Sequence, residues 1–161
     1  MRDPMDIDQD CADYEAATSY FLEAARSVSD DRLDAHREGG WSARQVIHHM
    51  ADSEAQSYAR LRRLIAEAPG SSIQGYDEAA WADNATLGYT SLAVDTSLAV
   101  VAAVRAASLT ILHRLTSEDL TRYGEHSESG RYEVATWIET YTEHPMAHAA
   151  QLLEAATSPL D

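Results

Sequence analysis

His144 and His148 stand four residues apart in the run Glu143-His144-Pro145-Met146-Ala147-His148. On a helix, that spacing puts both imidazoles on one face, one turn apart. Two such rings can converge on a single metal ion, but helices also carry such pairs by chance. A metal centre therefore needs a third ligand, and it needs all three rings to face inward.

Helix geometry identifies the third. At ~100° per residue, Val46, Met50, Ser53, Ser57, Leu61 and Leu64 form one stripe, with His49 about 60° from Val46 and His48 about 160° away. His49 is thus expected to look into the protein, and His48 toward solvent or a partner chain. On the last helix, Val134, Ile138, Tyr141, Pro145 and Leu152 mark the buried stripe, with His148 about 40° and His144 about 80° from it. Three neutral imidazoles can then meet in the interior, where each unpaired ring would cost stability and one metal would satisfy all three.

The elements that must position these rings are helical. A first helix is expected from about Asp10 to Ser27, with Tyr14, Ala17, Phe21, Leu22 and Ala25 on its apolar face; residues 1–9 would be a flexible lead. A second opens at Ser42, with Gln45 completing a capping box behind Trp41, and runs to about Glu67 before Pro69-Gly70. The connector 71–89 holds Asp77, placed to cap one short helical turn. A third helix, about Ser91 to Leu115, reads as buried along much of its surface. Thr116-Ser117-Glu118-Asp119 resembles a further cap, and 124–130 reads as a loop. The fourth helix starts near Tyr132 or Glu133 and ends around Ala156. Pro145 cannot donate to the Tyr141 carbonyl and is expected to kink it. No stretch alternates over a strand's length. The fold class is all-α: one domain over 1–161, an antiparallel four-helix bundle with a short helical turn in its long connector.

Composition narrows the partners. With 27 acidic and 12 basic residues the formal charge is −15, which repels phosphate backbones and anionic bilayers, so neither nucleic acid nor membrane is expected as a partner. The single cysteine, Cys11, allows no intrachain disulfide, suits a reducing compartment and has no basic neighbour to activate it. Met1-Arg2-Asp3-Pro4-Met5-Asp6 lacks a signal peptide's apolar run, and 97–112 is short for a span and interrupted by Arg105. A cytoplasmic protein is expected.

Several stretches have a family look. Gly39-Gly40-Trp41-Ser42-Ala43-Arg44-Gln45-Val46-Ile47-His48-His49-Met50-Ala51-Asp52-Ser53 resembles the second-helix signature of the DinB/YfiT-like superfamily. Ser57-Tyr58-Ala59-Arg60 and Tyr76-Asp77-Glu78-Ala79-Ala80-Trp81 are similar to its YfiT branch, and His144-x-x-x-His148 to its fourth-helix metal pair. The resemblance covers about Leu33 to Leu153. It implies a four-helix bundle, usually a homodimer, with zinc or nickel held by His49, His144 and His148. Pro145 between the ligands departs from the pattern, and the loop around His126 matches it loosely, so His126 receives no role.

Three nitrogen ligands leave a coordination position open, as in catalytic sites. A metal there makes bound water or a bound thiol acidic, which opens the way to hydrolysis or to transfer of a low-molecular-weight thiol onto an electrophilic small molecule. The pair His144-x-x-x-His148 encloses no acid of the H-E-x-x-H kind, and neither Asp52 nor Glu54 makes a compelling base, which favours the thiol. The YfiT branch is likewise associated with thiol transfer. A hydrolase and a non-catalytic, stress-induced metal-binding protein are the alternatives. Around the metal, Arg60 could take a substrate carboxylate or pair on the surface with Glu67 or Asp77. Tyr141 could reach the pocket, and Gln151, three residues past His148, could steady that ring.

Overall fold

The computed structural model describes residues 4–159. Four long helices, α1 (Pro4–Ser27), α2 (Ala43–Ala66), α4 (Asp95–Leu112) and α5 (Val134–Ala156), form the bundle, and α3 (Glu78–Asp83) is the short turn in the connector. Around the bundle the order is α1, α5, α2, α4, so the sequential pairs α1/α2 and α4/α5 lie on diagonals.

Helix α1 starts two turns earlier than the sequence suggested. Ile7 and Cys11 are buried and continue the stripe of Tyr14, Ala17, Phe21 and Ala25, and a proline suits a first helical turn, where its missing N–H is not needed. The expected flexible lead over 1–9 is therefore helical from Pro4 onward; residues 1–3 lie outside the described residues. Helix α2 opens on the expected capping box, with Ser42 Oγ accepting from the Gln45 amide at 3.2 Å and Gln45 Oε1 accepting from the Ser42 amide at 2.9 Å. Ser42→Ala should cost about 1 kcal/mol in denaturant unfolding, with an unchanged m-value. Asp77 caps α3 by accepting from the Ala80 amide at 2.9 Å, and Asp119, at the start of a 3-10 turn over Asp119–Thr121, accepts from the Thr116 amide and hydroxyl.

The expectation of no strands needs correction. Three short strands, β1 (Ser71–Ile73), β2 (Tyr123–His126) and β3 (Gly130–Glu133), make a small sheet in that order, β1 parallel to β2 and β2 antiparallel to β3. The expected loop over 124–130 is the β2–β3 hairpin, turned at Gly130 (φ 75°). At three or four residues each, the strands are too short for alternation to show. Their signal is Gly124, where a Cβ would come within 2.7 Å of the Ser71 carbonyl, so glycine is what lets β1 approach. Strand β3 runs directly into α5 and fixes where that helix begins.

Helix α4 is shorter than expected and buried on one stripe only, formed by Leu98, Val101, Arg105, Ser108 and Leu112. Ala99, Ala103 and Ala106 face outward; alanine suits either environment and so hid the periodicity. With a mean hydropathy of 1.5, α4 has the length and composition of a membrane span, yet Arg105 at its centre is buried in the bundle.

The core divides into two apolar clusters. One gathers Phe21, Val46, Met50, Leu98, Ala149 and Leu152; the other gathers Tyr14, Leu61, Leu64, Leu112, Trp137 and Ile138. Along α2, α4 and α5 the residues between them are polar: Ser53, Glu54 and Ser57, then Arg105 and Ser108, all buried, and then the half-buried His144 and His148. This polar layer contains the candidate site.

Candidate metal centre

Helix α2 brings His49, and α5 brings His144 and His148, into one cluster whose potential donor atoms all lie within 4.8 Å of one another. Their ring centroids are 4.3 to 5.5 Å apart. His49 is fully buried, with Trp41 packed 5.1 Å from its ring. Neither of its nitrogens has a hydrogen-bond partner, and His144 Nδ1 also lacks one. His144 Nε2 and His148 Nε2 face each other at 3.0 Å, and His148 Nδ1 lies 2.7 Å from Gln151 Oε1. The amide oxygen can only accept, so the Nδ1 of His148 carries the proton and its Nε2 keeps a free lone pair.

Burial sets the protonation states. Desolvation lowers His49 to about 4 and His144 to about 2, helped in each case by the charge of His148, and lowers His148 while Gln151 opposes the shift. The rings are therefore neutral at physiological pH, the form in which imidazole binds a metal. Two ligands on bonds of about 2.1 Å lie about 3.0–3.4 Å apart for right-angle to tetrahedral coordination, which the facing Nε2 atoms already approach. The residues present fit a divalent ion.

His48 corrects the sequence reading. It does not face solvent but is buried against the entry to α4, with Nδ1 2.8 Å from Ser97 Oγ and Nε2 3.2 Å from the Leu92 carbonyl. Within helix α2 it is on the opposite side from His49, as the helical wheel placed it; what covers that side is α4.

Arg60 pairs with neither Glu67 nor Asp77. Its Nη1 donates to Tyr141 Oη at 3.0 Å and its Nη2 to the Gln74 carbonyl at 3.1 Å. Both Arg60 and Tyr141 line a cleft of about 130 Å³ that also touches Ser53, Glu78, His126 and His144. Nothing in the sequence near His126 or Glu78 pointed to this cleft, because β2 and the connector reach it from outside the bundle.

The sequence reading also missed Arg105 and undervalued Glu54. Arg105 Nη1 donates to Glu54 Oε1 at 2.7 Å, and both side chains are wholly buried. Ser57 Oγ donates to Glu54 Oε2 at 2.9 Å. Arg105 also donates to Thr18 Oγ1, the Tyr14 carbonyl and, at 2.9 Å, the Tyr141 carbonyl. That last carbonyl is the one Pro145 deprives of an amide, and α5 runs on as one helix through the proline. From α4, one guanidinium thus ties together α1, α2 and α5.

Residues 13–152 match the family described as the DinB superfamily. The chain belongs to the DinB superfamily. Its DinB relatives include a protein of Oceanobacillus iheyensis named "Putative metal-dependent hydrolase", 35% identical over 126 residues, or 78% of this chain and 71% of that one. A Bacillus cereus protein of the same name is 31% identical over 147 residues, 91% and 83% of the two chains. Among solved structures, YfiT from Bacillus subtilis, described as a "probable metal-dependent hydrolase with an unusual four-helix bundle topology", superposes with a TM-score of 0.86 at 26% identity, covering 97% of this chain and 89% of that one. The four-helix bundle protein TT2238 shares the fold, with a TM-score of 0.63 at 21% identity.

Proposed function

We propose that His49, His144 and His148 hold one zinc or nickel ion, and that the protein joins a low-molecular-weight thiol to an electrophilic small molecule beside it. The observation that carries this reading is a set of three converging imidazoles, His49 fully buried and His144 and His148 partly so, in which both nitrogens of His49 and Nδ1 of His144 have no hydrogen-bond partner among the described residues. With a coordination position left open, such an ion makes a thiol or a water acidic near neutral pH.

The chain's own residues favour the thiol. Water attack calls for a base within reach. Glu54 is wholly buried with one oxygen held by Arg105 and the other by Ser57, and Asp52 accepts from the Tyr89 hydroxyl at 2.5 Å. Glu54 is thus engaged at both oxygens and Asp52 at one. Hydrolysis is the second reading, supported by the names of the relatives and by Glu78 and Glu128 in the cleft beside His144.

Metal-loaded protein, offered 1-chloro-2,4-dinitrobenzene with a panel of biological thiols, is expected to form conjugates, and chelation is expected to abolish this. Turnover of esters or amides without thiol would instead establish hydrolysis. Metal bound with no turnover in either assay would make the protein a non-catalytic metal binder. Gln151→Ala, which frees the His148 ring to rotate and change tautomer, should weaken metal binding by about 10–100-fold in a competition titration, and Gln151→Glu should restore it.

A further inference from the structure

Arg37, Arg44, Arg63, Arg105 and Arg131 each face a carboxylate, whereas the half-buried Arg32, Arg60 and Arg122 face none among the described residues. Arg32 and Arg122 spend their Nε–H groups on the backbone carbonyls of Ala156 and Leu64 near helix ends, while Arg60 lines the cleft beside His144. Its two hydrogen bonds go to neutral oxygens, on Tyr141 and Gln74, and its buried Nε–H has no partner at all. Neutral acceptors aim a guanidinium without cancelling its charge, and a half-buried cation left in that state is poised for an anion.

The same cleft carries the opposite charge on its rim. Glu78 and Glu128 both line it, and the Glu128 carboxyl lies over Gly75, where a Cβ would come within 2.6 Å of it. Glycine at 75 thus leaves room for that carboxylate. One cation and two carboxylates do not suit a dianion such as a phosphate monoester, which would also meet the field of a chain with net charge −15. A neutral ligand would offer the Arg60 fork no carboxylate and the two rim carboxylates no cation. A ligand end bearing one carboxylate and one ammonium satisfies all three groups.

We infer that the cleft beside His144 binds the amino-acid end of the substrate or cosubstrate, with Arg60 taking the carboxylate and Glu78 and Glu128 the ammonium. The inference builds on the reading of the histidines as the reacting centre, but binding of the charged end requires neither metal nor turnover. The test is calorimetric titration of metal-free and zinc-loaded protein with three unreactive probes: S-methyl-L-cysteine, with both charges; 3-(methylthio)propionate, with the carboxylate only; and 2-(methylthio)ethylamine, with the ammonium only. S-methyl-L-cysteine should bind at least 10-fold more tightly than either of the others, with or without zinc. Arg60→Gln should weaken it at least 10-fold, and Arg60→Lys, which keeps the charge without the fork, by less. Glu78→Gln combined with Glu128→Gln should bring S-methyl-L-cysteine and 3-(methylthio)propionate to within about 2-fold of each other. Equal binding of the three probes, no saturable binding, an unchanged Arg60→Gln variant that retains its thermal midpoint, or displacement by inorganic phosphate at lower concentration would each overturn the inference. Because the metal-free arm contains no ion, failure of metal binding or of catalysis would leave its result readable.

Discussion

Leucine in place of His49 is expected to leave the metal-free protein at least as stable as the wild type while weakening zinc or nickel binding by more than ~100-fold, since removing even a supporting partner of a ligand costs 10–100-fold. Without metal, the His49 ring is buried with two unpartnered nitrogens, a desolvation cost of about 1–3 kcal/mol that leucine does not incur. Leucine can instead extend the apolar cluster of Val46 and Met50 on the same helix. With metal, the order reverses: an ion at 100 times its dissociation constant adds about 2.7 kcal/mol to the wild type and almost nothing to the variant. Thermal midpoints with chelator and with excess metal measure both halves. Equal metal uptake by the two proteins would remove His49 from the ligand set, and a metal-free variant melting well below wild type would show that the ring is structural.

Arg105→Met is expected to destabilise the protein by about 3–5 kcal/mol, because it strands the fully buried Glu54 carboxylate without its counter-charge. Burial already pushes the Glu54 carboxyl up, with Arg105 and Ser57 opposing the shift. Once the guanidinium is gone, Glu54 must either take up a proton or draw in water. The double variant Glu54→Leu with Arg105→Met should recover part of the loss, since replacing both partners of a buried pair removes the stranded charge. Denaturant unfolding of the three proteins provides the comparison. A single variant within about 1 kcal/mol of wild type would show that water or a neighbouring group compensates.

The contrast between His49 and Arg105 shows what a single sequence discloses. The helical-wheel stripe of Val46, Met50, Ser53, Ser57, Leu61 and Leu64 is the buried face of α2, and the same arithmetic put His49 beside it. That reasoning works because it is local, running along one helix at a fixed period. Arg105 interrupts an alanine-rich run and looks like a break in an apolar helix. Its meaning depends on Glu54, 51 residues away, and on backbone carbonyls of two other helices. His48 was assigned to the right side of α2 and the wrong environment, because nothing local shows that α4 packs there. The sheet escaped notice for the same reason: β1 and β2 are joined across about fifty residues, and only Gly124 hints at the close approach. The cleft residues Glu78, His126 and Glu128 come from these nonlocal segments.

Pro145 and Arg105 also bear on how this chain can change over time. A proline inside α5 deprives the Tyr141 carbonyl of its usual amide, and Arg105 from a different helix donates to that oxygen. The proline is thus tolerable where the arginine already stands, and hazardous where it does not. An ancestor acquiring the two in succession would have had the more stable intermediate with arginine first. Across an alignment of relatives, proline at this position should therefore occur almost entirely in chains that carry arginine opposite it, while arginine should occur freely with or without the proline.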